Sequence, residues 1–568
     1  MTARTAGAWL AVILIGGAAL RVRGLSYGLP FVYNPDEVAI MNRALAFASG
    51  DLNPKNFLYP TFYFYVLFGW EVLGYGVGRV FGVFDTLAAF ERSYFADPSW
   101  IFLAGRSLTA LCGVATIAAT YALTRTIAGR AAGLFAALML AVSAIAVRDA
   151  HYVKHDVPVT LLMVLAHLAL FRADAARTPW RWAVAGGVAG LAMSTHYYAV
   201  FLALPFVVSA LWAPTTSEPI GRRLKCLVIA GAAAAIVFIA GSPYLLADPS
   251  RTFSDLVANR QIVVDRATTH SGVFGSLWFY LTTLAGDGWG MGGTFGVIFG
   301  LMTVIWRGRL AVLLLAFPCA FLLFISNTVP ATRYLNPILP FGAVLVGLSV
   351  ATLSGESRKL LIARFAFLAA LVAAQPIAAS VRSDAFFLRP DTRTQAFAWI
   401  AEHLPSETSV LVQPYSVQLR QSRAGLVEAL RATQGSEQNA STRFRKQLAL
   451  EPYPTPSYRT IYLGVGGLDQ DKIYVAPEAF AAGTLEPLRA LAVTHVILKR
   501  YNEPDPALES LDRALIKDAQ LIVTFSPYRA DASPTARATV PPFLHNTDPP
   551  IDPALERPGP IVEIWQLR

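Results

Sequence analysis

The chain has 568 residues, of which 55% are hydrophobic and only 15% are charged. Soluble domains carry about 25% charged residues, and several apolar runs here approach the roughly 20 residues that cross a bilayer, so the composition excludes an ordinary soluble protein. The net charge of +10 comes largely from Lys and Arg in short loops between apolar runs, which is typical of membrane topology and not of nucleic-acid binding.

The N-terminal segment is an apolar run from Ala6 to Leu20 that is followed by Arg21 and Arg23. No small-residue cleavage site is clear after this run, so we interpret it as a retained first span and not as a removed signal peptide. The three cysteines lie in apolar runs and read as small hydrophobic residues, which gives no indication of a disulfide framework.

The apolar runs predict about eleven membrane spans. They lie at 6–23, 101–124, 131–147, 157–171, 182–195, 197–212, 225–246, 277–305, 310–326, 337–353 and 360–379. The positive-inside rule places the N-terminus and the Arg-rich loops in the cytoplasm. The connections that are then external are 24–100, 148–156, 243–290 and 326–336. The aromatic segment 61–84 contains Glu71 and several glycines, and we interpret it as a helix lying at the interface.

The composition changes after about residue 380, where prolines and polar residues replace the long apolar runs. Thr394–His403 has a helical pattern, and the Pro-rich stretch 532–560 predicts loop structure. Three short segments predict strands: Ser409–Val412, His495–Lys499 and Ile561–Leu567. The predicted fold is a polytopic α-helical membrane domain over 1–380, followed by a soluble extracytoplasmic α/β domain over 381–568.

The first external loop contains Asn34-Pro35-Asp36-Glu37 ahead of a helical pattern. Asn34 can cap this helix, Pro35 suits its first position, and Glu37 can complete a capping box. The two carboxylates could equally act as a base or bind a cation just above the membrane. These residues alone leave both interpretations open.

The second external loop, 148–156, places several ionisable side chains between apolar spans, where they are costly unless they are functional. His151 and His155 are four residues apart, so on a helix they could share a face and, together with Asp149, hold a metal. An interfacial pair of hydrogen-bonding histidines is the alternative. Asp156 can cap the helix that follows.

A third candidate group contains Arg333, on the external side of the predicted topology, where the charge rule gives no reason for an Arg. Its guanidinium suits a phosphate, although a lipid headgroup or a salt bridge to Asp or Glu would also explain it. Lys154 and His196 lie at other external turns and could converge on the same anion.

These motifs, in their order and spacing, resemble the C-type (GT-C) glycosyltransferases of the bacterial protein-mannosyltransferase and aminoarabinose-transferase kind, similar to glycosyltransferase family 39. The resemblance covers about 6–380. It rests on Asp36-Glu37, Tyr59-Pro60, Arg106-Ser107-Leu108, His155-Asp156-x-Pro158, Thr195-His196-Tyr197 and Arg333-Tyr334-x-x-Pro337-x-x-Pro340. The family often has Thr-Lys where this chain has Thr195-His196.

The resemblance implies a transferase that moves a sugar from a polyprenyl-phosphate carrier to an acceptor hydroxyl at the periplasmic face of a bacterial inner membrane. It implies that Asp36 is the general base, that Glu37 orients it or contacts a substrate, and that Asp156 shapes the site. A carboxylate near water would need only a modest rise in pKa to act as a base. The carrier phosphate would be held by Arg333, Lys154, His196 and Tyr334.

Other classes remain open at this point. An oligosaccharide ligase or polymerase would use a lipid diphosphate donor and could need a divalent metal, held by Asp149 and Asp156. A lipid or sugar transporter (a flippase) tends to have broken helices at mid-membrane, whereas the ionisable residues here gather at one face. A membrane-anchored binding or assembly protein without catalysis is the last alternative. No motif requires a cofactor.

Overall fold

The computed structural model describes residues 2–212, 219–263, 272–351, 358–432, 440–466, 471–545 and 551–568. Five of the described helices are long and apolar enough to cross a membrane, and a bent pair provides a sixth span if its halves are taken together. The chain is therefore a multi-pass membrane protein. Parts of the predicted connection 243–290, of the span 337–353 and of the loop 532–560 lie outside the described residues.

Helices build the N-terminal two thirds of the chain. In chain order they are α1 (Ala3–Val22), α2 (Pro35–Ala46), α3 (Phe62–Val80), α4 (Leu87–Ala96), α5 (Ser99–Val142), α6 (Ala144–Asp149), α7 (Asp156–Ala176), α8 (Pro179–Thr195), α9 (Ala203–Leu211), α10 (Ile220–Gly241), α11 (Tyr244–Ala247), α12 (Pro249–Val263), α13 (Gly272–Thr283), α14 (Gly290–Ile305), α15 (Arg309–Ile325), α16 (Leu339–Ala351) and α17 (Arg358–Phe387). Every predicted span overlaps helical structure, with its ends displaced by several residues. Hydropathy therefore located apolar helical segments, whereas the number of membrane spans stays a prediction.

The helices differ from the predicted spans at two places, and a glycine lies at each of them. The spans predicted on either side of 125–130 form one long helical element, α5, which is interrupted at Gly129 with a φ of +89°. The predicted span 277–305 is divided into two helical halves, because α13 with the π-helical turn Leu284–Gly288 at its end is bent by 115° against α14. Gly290, with a φ of +67°, begins α14 one residue after this turn and tolerates the sharp change of direction.

The predicted helix in the aromatic segment 61–84 is confirmed as α3. Its side chains Tyr63, Phe64 and Leu67 pack in an apolar cluster with α2 and the start of α5. The side chain of Glu71 is buried within the same region. Its position relative to a bilayer remains a prediction.

Two charged clusters lie at opposite ends of the helical part. The Asp174 cluster joins two predicted cytoplasmic loops, because Arg177 and Arg309 both contact the carboxylate of Asp174, at 2.8 and 2.5 Å. The Asp36 cluster joins three predicted external loops, because Lys154 and Arg333 both face Asp36. The loops that the positive-inside rule assigned to one side of the membrane are therefore close to one another in the structure.

Close packing of small residues holds α8 against α10. Gly186 and Gly190 lie one helical turn apart on α8, and a Cβ on either would overlap the backbone of Ala230 or Ala234 on α10. This small-xxx-small pattern lets two membrane helices approach at the backbone. The apolar core of the helical part is built mainly from α5, α7, α8, α14, α15 and α16.

The C-terminal part is built around a six-stranded sheet with the order β3-β2-β1-β4-β6-β5. Its strands are β1 (Ser409–Val412), β2 (Arg459–Leu463), β3 (Ile473–Val475), β4 (His495–Arg500), β5 (Ala519–Phe525) and β6 (Ile561–Leu567). Its helices are α18 (Thr392–His403), α19 (Arg423–Ala432), α20 (Thr442–Leu448), α21 (Glu486–Ala490), α22 (Glu509–Asp518) and α23 (Pro534–Thr539). The strands β3, β2, β1 and β4 are parallel, whereas β6 is antiparallel to both of its neighbours.

Alternation of side chains along β1 explains how both faces of this sheet are covered. Val410 and Val412 pack with Ile400 of α18 on one face, while Leu411 packs with Leu515 of α22 on the other. The three strands and the helix predicted from the sequence are confirmed, and the helix begins two residues earlier than expected. The short helix α23 lies inside the predicted Pro-rich loop.

The start of the loop 24–100 anchors the C-terminal part to the membrane part. Phe31 packs on Phe397 with ring centroids 4.6 Å apart, and the hydroxyls of Tyr33 and Thr394 are 2.7 Å apart. Tyr27 donates a hydrogen bond to Asp391 at 3.0 Å. These contacts place α18 directly above the segment that leads into Asp36.

Candidate functional site

A cavity of about 190 Å³ lies where three loops that are predicted to be external meet. Its walls come from α2, the segment before α3, the loop that leads into α7, the turn after α8 and the turn before α16. The lining residues are Asp36, Ala39, Ile40, Arg43, Leu58, Tyr59, Lys154, His155, Asp156, His196, Arg333 and Tyr334. The cavity therefore gathers most of the side chains that the sequence singled out.

Local sequence fixes Asp36 at the start of α2. The side chain of Asn34 accepts a hydrogen bond from the backbone N–H of Asp36 at 3.1 Å, and Pro35 occupies the first helical position, as predicted. Because α2 begins here, Asp36 points one carboxylate oxygen toward the cavity while keeping part of its side chain in solvent.

Two cations hold the carboxylate of Asp36. Lys154 Nζ donates a hydrogen bond to Asp36 Oδ2 at 2.8 Å, and Arg333 Nη1 lies 3.7 Å from the same oxygen. Burial acts to raise the pKa of Asp36, but Lys154 and Arg333 outweigh it and lower this pKa to about 2. The direction is opposite to the modest rise that was expected for a base.

The cations of this cluster face a second carboxylate, that of Asp156. Burial and the neighbouring Arg333 lower the pKa of Lys154, while Asp36 and Asp156 act against this shift. Asp156 is the first residue of α7 and not its cap, and it lines the cavity beside Lys154. Arg333 lies 5.2 Å from the ring centroid of Tyr334. Lys154 and Arg333 are therefore shared between the carboxylates of Asp36 and Asp156.

Glu37 was predicted to orient Asp36 or to contact a substrate, and its side chain does not line the cavity. Its carboxylate accepts two hydrogen bonds from Arg106, both at 2.9 Å, and a third from the backbone N–H of Val153. Arg106 also donates to the carbonyls of Leu25 and Tyr27. Glu37 thus ties the first and second external loops together in place of a capping box or a substrate contact.

The predicted metal set, Asp149, His151 and His155, is not brought together. The ring nitrogens of His151 lie 2.9 and 2.8 Å from the carbonyls of Val147 and Arg23, whereas His155 stacks on Tyr59 inside the cavity. The chain leaves the helix after Asp149, so the spacing of four no longer places both histidines on one face. Asp149 accepts a hydrogen bond from Asn336. Within the described ranges, no three His, Cys, Asp or Glu side chains are grouped to hold a metal.

His196 lines the cavity but is not placed as a cation. It stacks on Tyr198 at 3.6 Å and meets Tyr59 edge-on at 5.2 Å. Burial lowers the pKa of His196 well below its ordinary value, and His155 and Arg333 add to this shift. A neutral imidazole can give a hydrogen bond or a ring contact to a ligand, so the predicted contact of His196 with a phosphate stays a prediction.

Arg43 is a cavity residue that the sequence analysis missed. It is seven residues after Asp36 on α2, so the helical repeat places both on one face together with Ala39 and Ile40. Its guanidinium lies 5.8 Å from the ring centroid of Phe64. The spacing of three, four and seven residues after Asp36 was the signal that could have identified it.

Residues 101–245 match the family model of dolichyl-phosphate-mannose-protein mannosyltransferases. No curated protein matches the chain by sequence. The structure is similar to ArnT from Cupriavidus metallidurans bound to undecaprenyl phosphate, with a TM-score of 0.54 and 15% identity over 99% of this chain and 98% of that chain. It is also similar to the archaeal oligosaccharyltransferase AglB from Archaeoglobus fulgidus, determined with an inhibitory peptide and a dolichol-phosphate. That similarity has a TM-score of 0.50 and 13% identity, over 98% and 88% of the two chains.

A helical membrane part with a polar cavity at one end, capped by a C-terminal domain, defines the class of molecule. The similarity to ArnT extends over nearly the full length of both chains and includes the C-terminal sheet. This chain has the GT-C fold of membrane glycosyltransferases. The family match spans α5 to α11, which includes Lys154 and Asp156 but neither Asp36 nor Arg333.

Proposed function

We propose that this protein is a glycosyltransferase that moves a sugar from a polyprenyl-phosphate carrier to an acceptor hydroxyl. The observation that carries the proposal is the Asp36 cluster, where a half-exposed carboxylate and two cations share one cavity. The chemistry needs a base for the hydroxyl and fixed positive charge for the phosphate that leaves. The structure of ArnT was determined with undecaprenyl phosphate, and the matched family is described by a dolichyl-phosphate donor.

The donor phosphate fits the cationic side of the cavity. Arg333 offers a planar, permanently charged fork for phosphate oxygens, and Lys154 adds a second donor. Arg43 lies on the same wall as Asp36 and supplies a third positive charge. The phosphate would compete with Asp36 for these cations, because both groups are anions that bind the same donors.

This competition gives Asp36 a way to become a base. While Lys154 and Arg333 hold its carboxylate, the pKa of Asp36 stays at about 2, which makes it a weak proton acceptor. When a phosphate draws these cations away, the pKa of Asp36 rises toward its ordinary value. Donor binding and activation of the base are then one event.

The transfer step follows from this arrangement. The acceptor oxygen attacks C1 of the sugar while the bond from C1 to the phosphate oxygen breaks, with inversion at C1. The hydroxyl proton goes to Asp36, and the phosphate leaves as an anion that Arg333 and Lys154 stabilise. Asp156 keeps the two cations oriented, and Glu37 with Arg106 holds the loop that carries Asp36.

We place the site on the periplasmic face of a bacterial inner membrane, with the N-terminus in the cytoplasm. The support for this is the position of the Asp174 cluster, which gathers Arg-rich loops at the end opposite to the cavity. The acceptor would enter from the same outer side, between the cavity and the C-terminal domain.

The test is a turnover assay with the purified full chain and labelled polyprenyl-phosphate sugars. Asp36→Asn should lose transfer while its folding is retained, whereas Asp51→Asn should behave like wild type. Asp51 is an exposed carboxylate of the same loop that pairs with Lys55 and does not line the cavity. Normal turnover in Asp36→Asn would remove this carboxylate from the mechanism.

The same assay separates the donor classes and the metal question. Transfer from a monophosphate donor but not from a diphosphate donor supports the proposal, and the reverse result supports an oligosaccharide ligase. Turnover should persist in EDTA, because the candidate ligands Asp149, His151 and His155 point to different surroundings.

A further inference from the structure

The C-terminal sheet has a topological switch point. From β1 the chain moves to β2 and β3 on one side, and it then crosses to β4 on the other side, with all four strands parallel. Connections on either side of the β1–β4 pair therefore depart in opposite directions and leave a crevice at the carboxyl ends of these strands. Ligands of parallel α/β sheets bind at such crevices.

A strained residue, Tyr415, lies at this crevice. It follows β1 in the turn Gln413–Ser416, which is closed by a hydrogen bond from Ser416 N–H to the carbonyl of Gln413 at 3.1 Å. Pro414 is the second residue of the turn, and Tyr415 is the third, with a φ of +67°. Gly or Asn is the usual residue at such a position, since a bulky side chain is strained there. Strained residues cluster at functional sites.

Tyr415 forms a patch with residues at the end of β4. Lys499 Nζ lies 5.1 Å from the ring centroid of Tyr415 and 5.4 Å from that of Tyr501. Both rings are exposed, at 60% and 39%. The backbone N–H of Lys499 donates to the side chain of Gln413, which ties the two strand ends together. The Tyr415–Lys499–Tyr501 patch therefore presents two aromatic faces with a cation between them.

The turn that carries Tyr415 lies close to the segment that leads into Asp36. Burial is the largest influence on the pKa of Lys499 and lowers it, Asp505 acts against this shift, and Arg393 adds to it. The guanidinium of Arg393 stacks 3.9 Å from the ring centroid of Tyr33, three residues before Asp36. Gln418, just after the same turn, donates to the carbonyl of Val32. A hydrogen bond thus joins the segment after the Tyr415 turn to the carbonyl of Val32, four residues before Asp36.

We propose that the Tyr415–Lys499–Tyr501 patch is an acceptor subsite that binds an acidic glycan. The tyrosine faces would stack against the apolar face of a sugar ring, and Lys499 would pair with a carboxylate or phosphate of the same glycan. A glycan of several rings can reach from this crevice toward Asp36 with its terminal hydroxyl. The inference rests on the proposed transferase function, because that function requires an acceptor that approaches from this side.

The strained backbone at Tyr415 allows a specific test, because Tyr415→Gly should raise the stability of the protein and weaken ligand binding at the same time. Glycine relaxes the backbone at a φ of +67°, so the melting temperature of the full chain should rise. Loss of the ring should weaken binding of a tetragalacturonate probe by about tenfold. Ala492→Gly is the matched control, because Ala492 also has a positive φ in this domain, at +54°, and lies outside the patch. It should raise stability without affecting binding.

Charge is tested with a second probe and a second variant. Wild type should bind tetragalacturonate more tightly than the same oligosaccharide with its carboxylates reduced to alcohols, and Lys499→Met should remove this preference. The proposal is overturned if wild type binds neither probe, or if Tyr415→Gly gains stability while its binding is unchanged. Binding is measured on the full chain without donor, so a failure of sugar transfer would not be mistaken for a failure of this subsite.

Discussion

The Asp174 and Asp36 clusters have nearly the same composition, one aspartate and two cations, but they differ in how completely the carboxylate is held. Arg309 grips both oxygens of Asp174, and Arg177 and the hydroxyl of Ser209 complete its surroundings. Among the described residues, Lys154 contacts Asp36 at 2.8 Å and Arg333 at 3.7 Å, His545 acts on it from farther away, and 47% of its side chain is exposed beside a cavity. A carboxylate whose oxygens are all engaged by protein groups stabilises the fold. A carboxylate with fewer partners, beside a cavity, is accessible to a ligand.

Replacing each aspartate by asparagine should give the largest difference between the two clusters, in kcat and in melting temperature. Asp36→Asn should lower kcat by about 10²–10⁴, the contribution of general base catalysis, with the melting temperature little changed. Asp174→Asn should leave kcat within a few-fold of wild type but lower the melting temperature, because Arg177 and Arg309 lose their shared partner. Steady-state kinetics and thermal unfolding of both variants check this. An active Asp36→Asn or an inactive, stable Asp174→Asn would contradict it.

Glu37→Gln should be the most destabilising change near the cavity. Arg106 is fully buried and would lose its only carboxylate among the described residues, and breaking a buried pair costs about 3–5 kcal/mol. Thermal unfolding of the purified full chain measures the effect. A stable, correctly folded variant with lost turnover would instead point to direct participation of Glu37 in the reaction.

Lys154→Met should move the acid limb of the pH profile. The base is active when deprotonated, so activity falls as the pH drops through the pKa of Asp36. In the free enzyme this pKa is about 2, so kcat/KM of wild type should stay level on this limb to below pH 4. Removal of Lys154 raises the pKa, so the variant should lose kcat/KM at a higher pH. An unshifted acid limb, at reduced overall activity, would show that Lys154 does not set this pKa.

Arg43→Gln should give the smallest of these effects. Arg43 lines the cavity, whereas Lys154 bonds Asp36 directly, so removal of Arg43 should raise KM for the donor by about three- to tenfold while kcat changes little. Arg92→Gln, which changes an exposed arginine of the same external loop away from the cavity, is the control. A donor KM equal to that of wild type would show that Arg43 does not contact the phosphate.

Features set by neighbours in the chain were predictable from the sequence. The apolar helices, the cap of α2 by Asn34 and three strands of the C-terminal sheet depend on local pattern, and the structure has all of them. Arg43 was also within reach, since the repeat of α2 alone places it beside Asp36.

Features set by tertiary contacts were not predictable. The pairing of Glu37 with Arg106 joins residues 69 positions apart, and no local pattern distinguishes it from a capping box. The prediction of a metal site assumed that one helix carries both His151 and His155. In the structure, helix α6 ends before them, at Asp149. The lowered pKa of Asp36 depends on Lys154 and Arg333, which arrive from two distant loops.

The most direct test of the account is the affinity of the purified protein for undecaprenyl phosphate without a sugar, compared between wild type and Asp36→Asn. If Asp36 and the phosphate compete for Lys154 and Arg333, the variant should bind this lipid several-fold more tightly although it cannot turn over. Weaker or equal binding by Asp36→Asn would contradict a phosphate site built on these two cations.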